Sequence, residues 1–128
     1  MLSFEPIGFV RNGVNESQNF SEVISEIIID EKHAEGLYRL DETEQIVVIF
    51  AFDRNVGEGF RYRLHPRGDE SVPEVGVFAS RSPFRPNPIG MDQVRLLKVE
   101  GNVLTVKGLE AFDGTPVLDI KPVIRRKR

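Results

Sequence analysis

The chain has 128 residues, 40% of them hydrophobic and 29% charged, with 17 Lys and Arg against 20 Asp and Glu and no cysteine. That length suits one soluble globular domain spanning residues 1–128, able to bury roughly 65–70% of its unfolded surface. Disulfides, thiolate nucleophiles and Cys-ligated metals are excluded. With only His33 and His65 as histidines no metal site is expected, and with neither a membrane-length apolar run nor a leader pattern, a cytoplasmic setting with no membrane association is expected.

In chain order, residues 4–10 open with alternating character, and residues 23–29 are rich in β-branched side chains. Residues 31–37 are the one short helical candidate. Residues 46–52 (IVVIFAF) form an almost continuous apolar run, which predicts a strand buried on both faces. Residues 60–64 alternate, with Phe60, Tyr62 and Leu64 on one face and Arg61 and Arg63 on the other. Further strands are expected at 75–80, 91–99, 103–109 and 117–120, with Glu100-Gly101-Asn102 as a hairpin turn. Eight strands with one or two short helices predict an all-β fold, a barrel or a sandwich, which periodicity does not separate. Gly57-Glu58-Gly59 lacks the third glycine of a dinucleotide fingerprint, and there is no Walker A loop.

Charge is unevenly spread. Residues 1–52 hold three Lys or Arg against ten Asp or Glu, whereas residues 53–98 hold eight against six. Arg54, Arg61, Arg63, Arg67, Arg81 and Arg85 share one stretch, and Arg125, Arg126, Lys127 and Arg128 form a terminal run. Local basic patches govern attraction to phosphate more than net charge does; a solvated surface with a basic tail has the same composition.

Two segments carry most of the chemistry. Residues 76–90 (GVFASRSPFRPNPIG) place three prolines between Pro83 and Pro88, which restricts the backbone before any ligand arrives. Arg81, Ser82, Arg85 and Asn87 on this loop are groups suited to a nucleoside or a carboxylate; a rigid connection between strands uses the same prolines. In residues 113–122 (DGTPVLDIKP), Asp113 and Gly114 are explained by a turn. Asp119 lies between Leu118 and Ile120 in a strand and needs a partner, for which Lys121 on the same face is available.

These two stretches resemble the signature segments of the TsaA/TrmO family, and Pro6-Ile7-Gly8 and residues 48–52 (VIFAF) are similar to its other landmarks. The resemblance covers most of the chain and is strongest over residues 46–124. It implies a single-sheeted β-barrel, usually a homodimer, that binds S-adenosylmethionine and methylates N6 of threonylcarbamoyladenosine in the tRNA anticodon loop. Carried over by position, it implies a cofactor pocket drawing on Asp53, Arg54, Arg81, Met91, Leu109 and Glu110. Three positions depart from the pattern: residues 12–20 (NGVNESQNF) lack the usual Pro-Arg-Gln, Asp53 stands where a His commonly follows the strand-ending Phe, and Glu110 stands where Asp is usual.

Methyl transfer from a sulfonium is an in-line displacement governed by alignment, and an amide-like nitrogen gains from a proton acceptor. Asp53, Tyr62, His65, Asp113 and Asp119 are the candidate bases. Imidazole titrates nearest neutrality among these residue types. Arg63, Arg67 and Arg85 are candidates for tRNA phosphate contacts, with Asn87 beside them, and Arg85 alternatively suits the substrate carboxylate. The alternative functions are a methyltransferase with a small-molecule or protein acceptor and a non-catalytic module that binds the cofactor or a nucleotide.

Overall fold

A computed structural model describes residues 1–124; the basic run Arg125, Arg126, Lys127 and Arg128 lies outside the described residues. The described strands are β1 (Gly8–Arg11), β2 (Ile24–Ile29), β3 (Gln45–Ala51), β4 (Arg63–Leu64), β5 (Val75–Gly76), β6 (Ile89–Glu100), β7 (Val103–Lys107) and β8 (Pro116–Pro122). Six of them close a barrel in the order β1-β2-β7-β6-β3-β8, while β4 and β5 form a separate two-stranded sheet. The chain divides into two compact units, Met1–Phe50 with Met91–Arg128 and the intervening Ala51–Gly90.

In the barrel unit, β-branched residues at period 2 put one row inside. On β2 the inward row is Ser25, Ile27 and Ile29, and on β7 it is Leu104 and Val106. Val10, Val48, Ile46 and Val117 complete a core whose side chains are wholly covered. Each such side chain contributes roughly 1.5–3 kcal/mol of apolar transfer. Residues 46–52 are not buried on both faces as their composition suggests. Ile46, Val48 and Phe50 face inward, while Val47 and Ile49 are half-buried, because an outer barrel face is covered only by its own neighbours. Register shifts between Ile49 and Phe50 against β8, and between Leu96 and Lys98 against β7, are the bulges that let strands coil tightly enough to close.

Gly8 pairs with Ile29 on one side and Val117 on the other. A Cβ there would press into the Ile28 carbonyl oxygen and stand 3.0 Å from Ile29 Cα, so β1 and β2 approach at a distance only glycine permits. The hairpin between β6 and β7 turns at Gly101, whose φ of 58° is left-handed. The helical candidate forms a 3-10 helix, Glu31–Leu37, capped by the Asp30 carboxylate, which accepts the Lys32 N–H.

Within the Ala51–Gly90 unit, β4 pairs with β5 through Arg63 opposite Gly76 and Leu64 opposite Val75. Leu64 and Val77 are buried. The pairing covers two residues, so the expected common face of Phe60, Tyr62 and Leu64 is not realised: Leu64 turns inward, and Phe60 and Tyr62 stand exposed. Short 3-10 turns at Asp53–Asn55, Pro66–Gly68 and Val77–Ala79 take up most of the remaining direction changes.

Candidate functional site

The proline-rich loop is held by its own polar groups. Arg85 Nη1 donates to the carbonyl oxygens of Ser80 and Ser82, each at 3.0 Å. Ser80 Oγ donates to the Val77 carbonyl at 2.9 Å, and Ser82 Oγ accepts the Phe84 N–H at 3.2 Å. Phe52 N–H reaches the Pro88 carbonyl at 2.7 Å. Arg85 therefore spends one nitrogen on the loop itself, and the rest of its guanidinium remains for a ligand. Asn87 is exposed, with its carbonyl accepting the Ile89 N–H.

Asp53 and Arg54 occupy the 3-10 turn that follows β3, both exposed, and Arg81 is exposed on the loop. Arg63 pairs with Glu74 across the β4–β5 sheet at 3.4 Å, an exposed contact of little energetic weight. Arg67 adopts a left-handed φ of 56° at the tip of the next turn.

His65 opens that turn. Its Nδ1 lies 2.8 Å from the Val72 carbonyl oxygen. A carbonyl only accepts, so Nδ1 carries the hydrogen and Nε2 of the neutral ring is left with its lone pair. The loop beneath is self-bonded: Gly68 N–H to the His65 carbonyl, Asp69 N–H to the Pro66 carbonyl, and Val72 N–H to the Asp69 carbonyl. Asp69 accepts both the Ser71 hydroxyl at 2.6 Å and its N–H at 3.0 Å. These two bonds, the hydroxyl first, hold the Asp69 carboxyl below its ordinary value.

In the barrel unit, Met91 and Asp92 sit on β6, and Leu109 and Glu110 follow β7. The structure joins the two pairs: Asp92 Oδ2 accepts the Glu110 N–H at 2.9 Å. Met91 is half exposed, whereas Leu109 is wholly buried, backbone included, so the structure brings Met91 to the surface and leaves Leu109 beneath it. Asp92 escaped sequence reasoning, because nothing local marks a strand aspartate as the partner of a backbone N–H 18 positions later.

The remaining acids are structurally engaged. Asp113 Oδ1 accepts the N–H groups of Asn12 at 2.8 Å and Gly13 at 3.0 Å. Asn12 answers with its own amide, donating to Ser25 Oγ and the Ala111 carbonyl and accepting the Val14 N–H. Asp119 is ion-paired with Lys121 at 2.8 Å and caps the Ile120 N–H. Among the described residues no group of three or more His, Asp or Glu is placed to hold a metal ion, and no helix is long and apolar enough to cross a membrane. An open depression of about 450 Å³ in the barrel unit is lined by Pro6, Gly8, Phe9, Asp30 and Pro116 among others, and so takes in part of the Pro6-Ile7-Gly8 landmark but none of the candidate catalytic, cofactor or tRNA-contact residues.

Residues 11–127 match the family model for the tRNA-methyltransferase O N-terminal domain. An S-adenosyl-L-methionine-binding protein of Archaeoglobus fulgidus is 40% identical over 126 residues, covering 94% of this chain and 88% of that protein. A tRNA (adenine(37)-N6)-methyltransferase of Mus musculus is 40% identical over 89 residues, 70% of this chain but 20% of that protein. The crystal structure of TrmO from Pseudomonas aeruginosa superposes with a TM-score of 0.75 at 28% identity, covering 97% of this chain. The chain spans 56% of that solved structure. A match of this extent, on a closed barrel of the expected class, settles the family: the chain belongs to the tRNA-methyltransferase O N-terminal domain family.

Proposed function

We propose that the protein is an S-adenosylmethionine-dependent methyltransferase that methylates N6 of threonylcarbamoyladenosine in the tRNA anticodon loop. The observation that carries this reading is the match of residues 11–127 to a tRNA methyltransferase domain, alongside relatives named for binding the same cofactor. A homodimer in the cytoplasm is part of the same proposal.

The residues assigned to the cofactor fit its chemistry by type. A donor with a carboxylate, an ammonium, a ribose diol and an adenine asks for cations, acids and apolar surface. Arg54 and Arg81 supply the first, Asp53 and Glu110 the second, and exposed Met91 the third. The bound cofactor supplies an electrophilic methyl group on a sulfonium. The protein's task is then to align the acceptor nitrogen and receive its proton. We assign the proton to His65 Nε2, because the Val72 carbonyl fixes the tautomer that leaves this atom basic, whereas Asp113 and Asp119 hold loops and strands together. Arg63, Arg67 and Arg85, with Asn87, take the tRNA phosphates or the carboxylate of the modified base.

A specific observation favours a second reading, a cofactor-binding module without turnover: the relatives matched over nearly their full length, 88% and 91%, carry names that stop at cofactor binding. Calorimetric titration with S-adenosylmethionine, for the parent and Arg81→Ala, tests the cofactor; saturable binding that Arg81→Ala weakens about tenfold is expected, as for loss of one charge-assisted contact. Nucleoside mass spectrometry after incubation with tRNA tests the acceptor. Binding without a new methylated threonylcarbamoyladenosine installs the second reading. A monomer by light scattering at micromolar concentration removes the dimer.

A further inference from the structure

The Ala51–Gly90 unit exposes an unusual set of side chains for 40 residues with two buried aliphatics. Tyr62 is 67% exposed, Phe78 76%, Phe60 47% and Phe84 41%. The same residues 51–90 hold six arginines and no lysine, although the chain has five lysines elsewhere. Arginine and lysine carry equal charge, so a merely solvated basic surface has no reason to exclude lysine. Arginine differs by its planar, stackable, bidentate head. Residues 60–68 carry three of these arginines and no acid.

The rings are arranged as well as exposed. Phe60 and Tyr62 meet edge to face, with centroids 5.1 Å apart at 74°, an arrangement in which one ring offers its edge and keeps its faces. The Arg61 guanidinium lies 5.8 Å from the Phe84 ring centroid. Their backbones are pinned: Arg61 N–H donates to the Phe84 carbonyl at 3.2 Å, and the Tyr62 carbonyl accepts the Val77 N–H at 2.8 Å. Aromatic faces interleaved with arginine, on a backbone tied down at Arg61 and Tyr62, match the requirements of unpaired nucleotides, whose bases stack and whose phosphates attract guanidinium.

We infer that Phe60 and Tyr62, flanked by Arg61 and Arg63, form a stacking platform for an unpaired base of a single-stranded RNA loop. This rests on the tRNA reading and deepens it by naming the surface that distinguishes loop from stem. Duplexed RNA buries its base faces, so it gains nothing from the rings.

The test compares the parent, the double variant Phe60→Ala/Tyr62→Ala, and Tyr62→Phe for binding to a tRNA anticodon stem-loop and to a fully paired RNA duplex, by fluorescence anisotropy over a salt series. S-adenosylmethionine binding and thermal melting are measured on the same samples. The double variant is expected to lose about 5- to 100-fold in affinity for the stem-loop, the loss of stacking on one base. Its duplex affinity and salt slope stay at parental values, since no phosphate contact is removed, and Tyr62→Phe stays near the parent. A double variant that melts like the parent and binds the stem-loop equally overturns the platform while the tRNA reading survives. Equal losses on loop and duplex also overturn it. A parent that binds the cofactor but no stem-loop overturns the platform and the tRNA reading together.

Discussion

Asp113→Ala separates a structural from a chemical role at a position that sequence marks as a candidate base. The carboxylate joins two loops 100 residues apart, accepting the N–H groups of Asn12 at 2.8 Å and Gly13 at 3.0 Å. Hydrogen bonds to a charged acceptor are worth about 1.5–3 kcal/mol each when both partners are removed from water. The Gly13 N–H is exposed, so water replaces that bond; the Asn12 N–H is partly buried and loses more. The net cost is about 2–3 kcal/mol. A chain of 128 residues has an unfolding entropy of about 0.27 kcal/mol per degree, which converts this to a melting temperature about 7–11 °C lower. Thermal melting followed by circular dichroism reads it directly, and calorimetry at a temperature where the variant is folded reads cofactor binding. The expected result is a large loss of stability with methyl transfer retained by the folded fraction. A melting temperature within about 2 °C of the parent, together with abolished turnover, would refute the structural assignment and return Asp113 to the chemistry.

Gly8→Ala is expected to destabilise the barrel by about 1–3 kcal/mol, since an added Cβ must push β1 away from the Ile28 carbonyl and Ile29 Cα at 3.0 Å; a denaturant midpoint unchanged from the parent would contradict that close approach. Ser71→Ala removes the hydroxyl that chiefly lowers the Asp69 carboxyl. A lowered folded-state value gives stability that is full above the ordinary carboxylate range and is lost as pH falls through the lowered value. The difference between Ser71→Ala and the parent is therefore present above about pH 4 and closes below it, and an NMR titration of the Asp69 carboxyl should shift upward in the variant. His65→Ala, with the Val72 carbonyl left unpaired, is expected to lower the rate of methyl transfer by about 10²–10⁴-fold with cofactor affinity retained; an unchanged rate at neutral pH removes His65 as the proton acceptor.

The strands were legible because a barrel's inner row repeats at period 2: residues 23–29, 91–99 and 103–109 announce β2, β6 and β7 within a residue or two at most of their ends. The glycines at 101 and 114 announce turns, and both adopt left-handed φ. What composition misjudged was burial. The run at 46–52 is apolar on both faces, yet only Ile46, Val48 and Phe50 are inside. The alternation at 60–64 imitates a long strand, yet pairing covers only Arg63 and Leu64, and nothing local reports where a partner strand stops. The polar contacts that shape the site regions were illegible for a different reason. Asn12 with Asp113, and Asp92 with Glu110, depend on strand register and on chain separations that no local pattern encodes. The resemblance in residues 76–90 and 113–122 carried the family because it does not depend on register at all.

The departure in residues 12–20, where the Pro-Arg-Gln usual in the family is missing, gains a physical reading from the same contacts. The segment is an ordered loop in its own right. Asn12 satisfies three partners with one side chain, the Asp113 N–H binds the Val14 carbonyl at 2.8 Å, and Phe20 is buried with its ring 6.2 Å from that of Phe112. Asn12 also supplies a hydrogen bond to the buried Ser25 hydroxyl, which would otherwise be costly inside the barrel. The loop's path is thus fixed by the chain, and a ligand meeting it has little ordering entropy to overcome. What the departure removes is a cation. Arg11, the nearest arginine in sequence, is engaged with Glu26 at 2.9 Å. The consequence is structural: Asn12→Ala, which takes the partner from the buried Ser25 hydroxyl and from the Ala111 carbonyl, is expected to lower stability by about 1–3 kcal/mol, read by thermal melting. A melting temperature unchanged from the parent would mean that Asn12 does not hold the loop to the barrel.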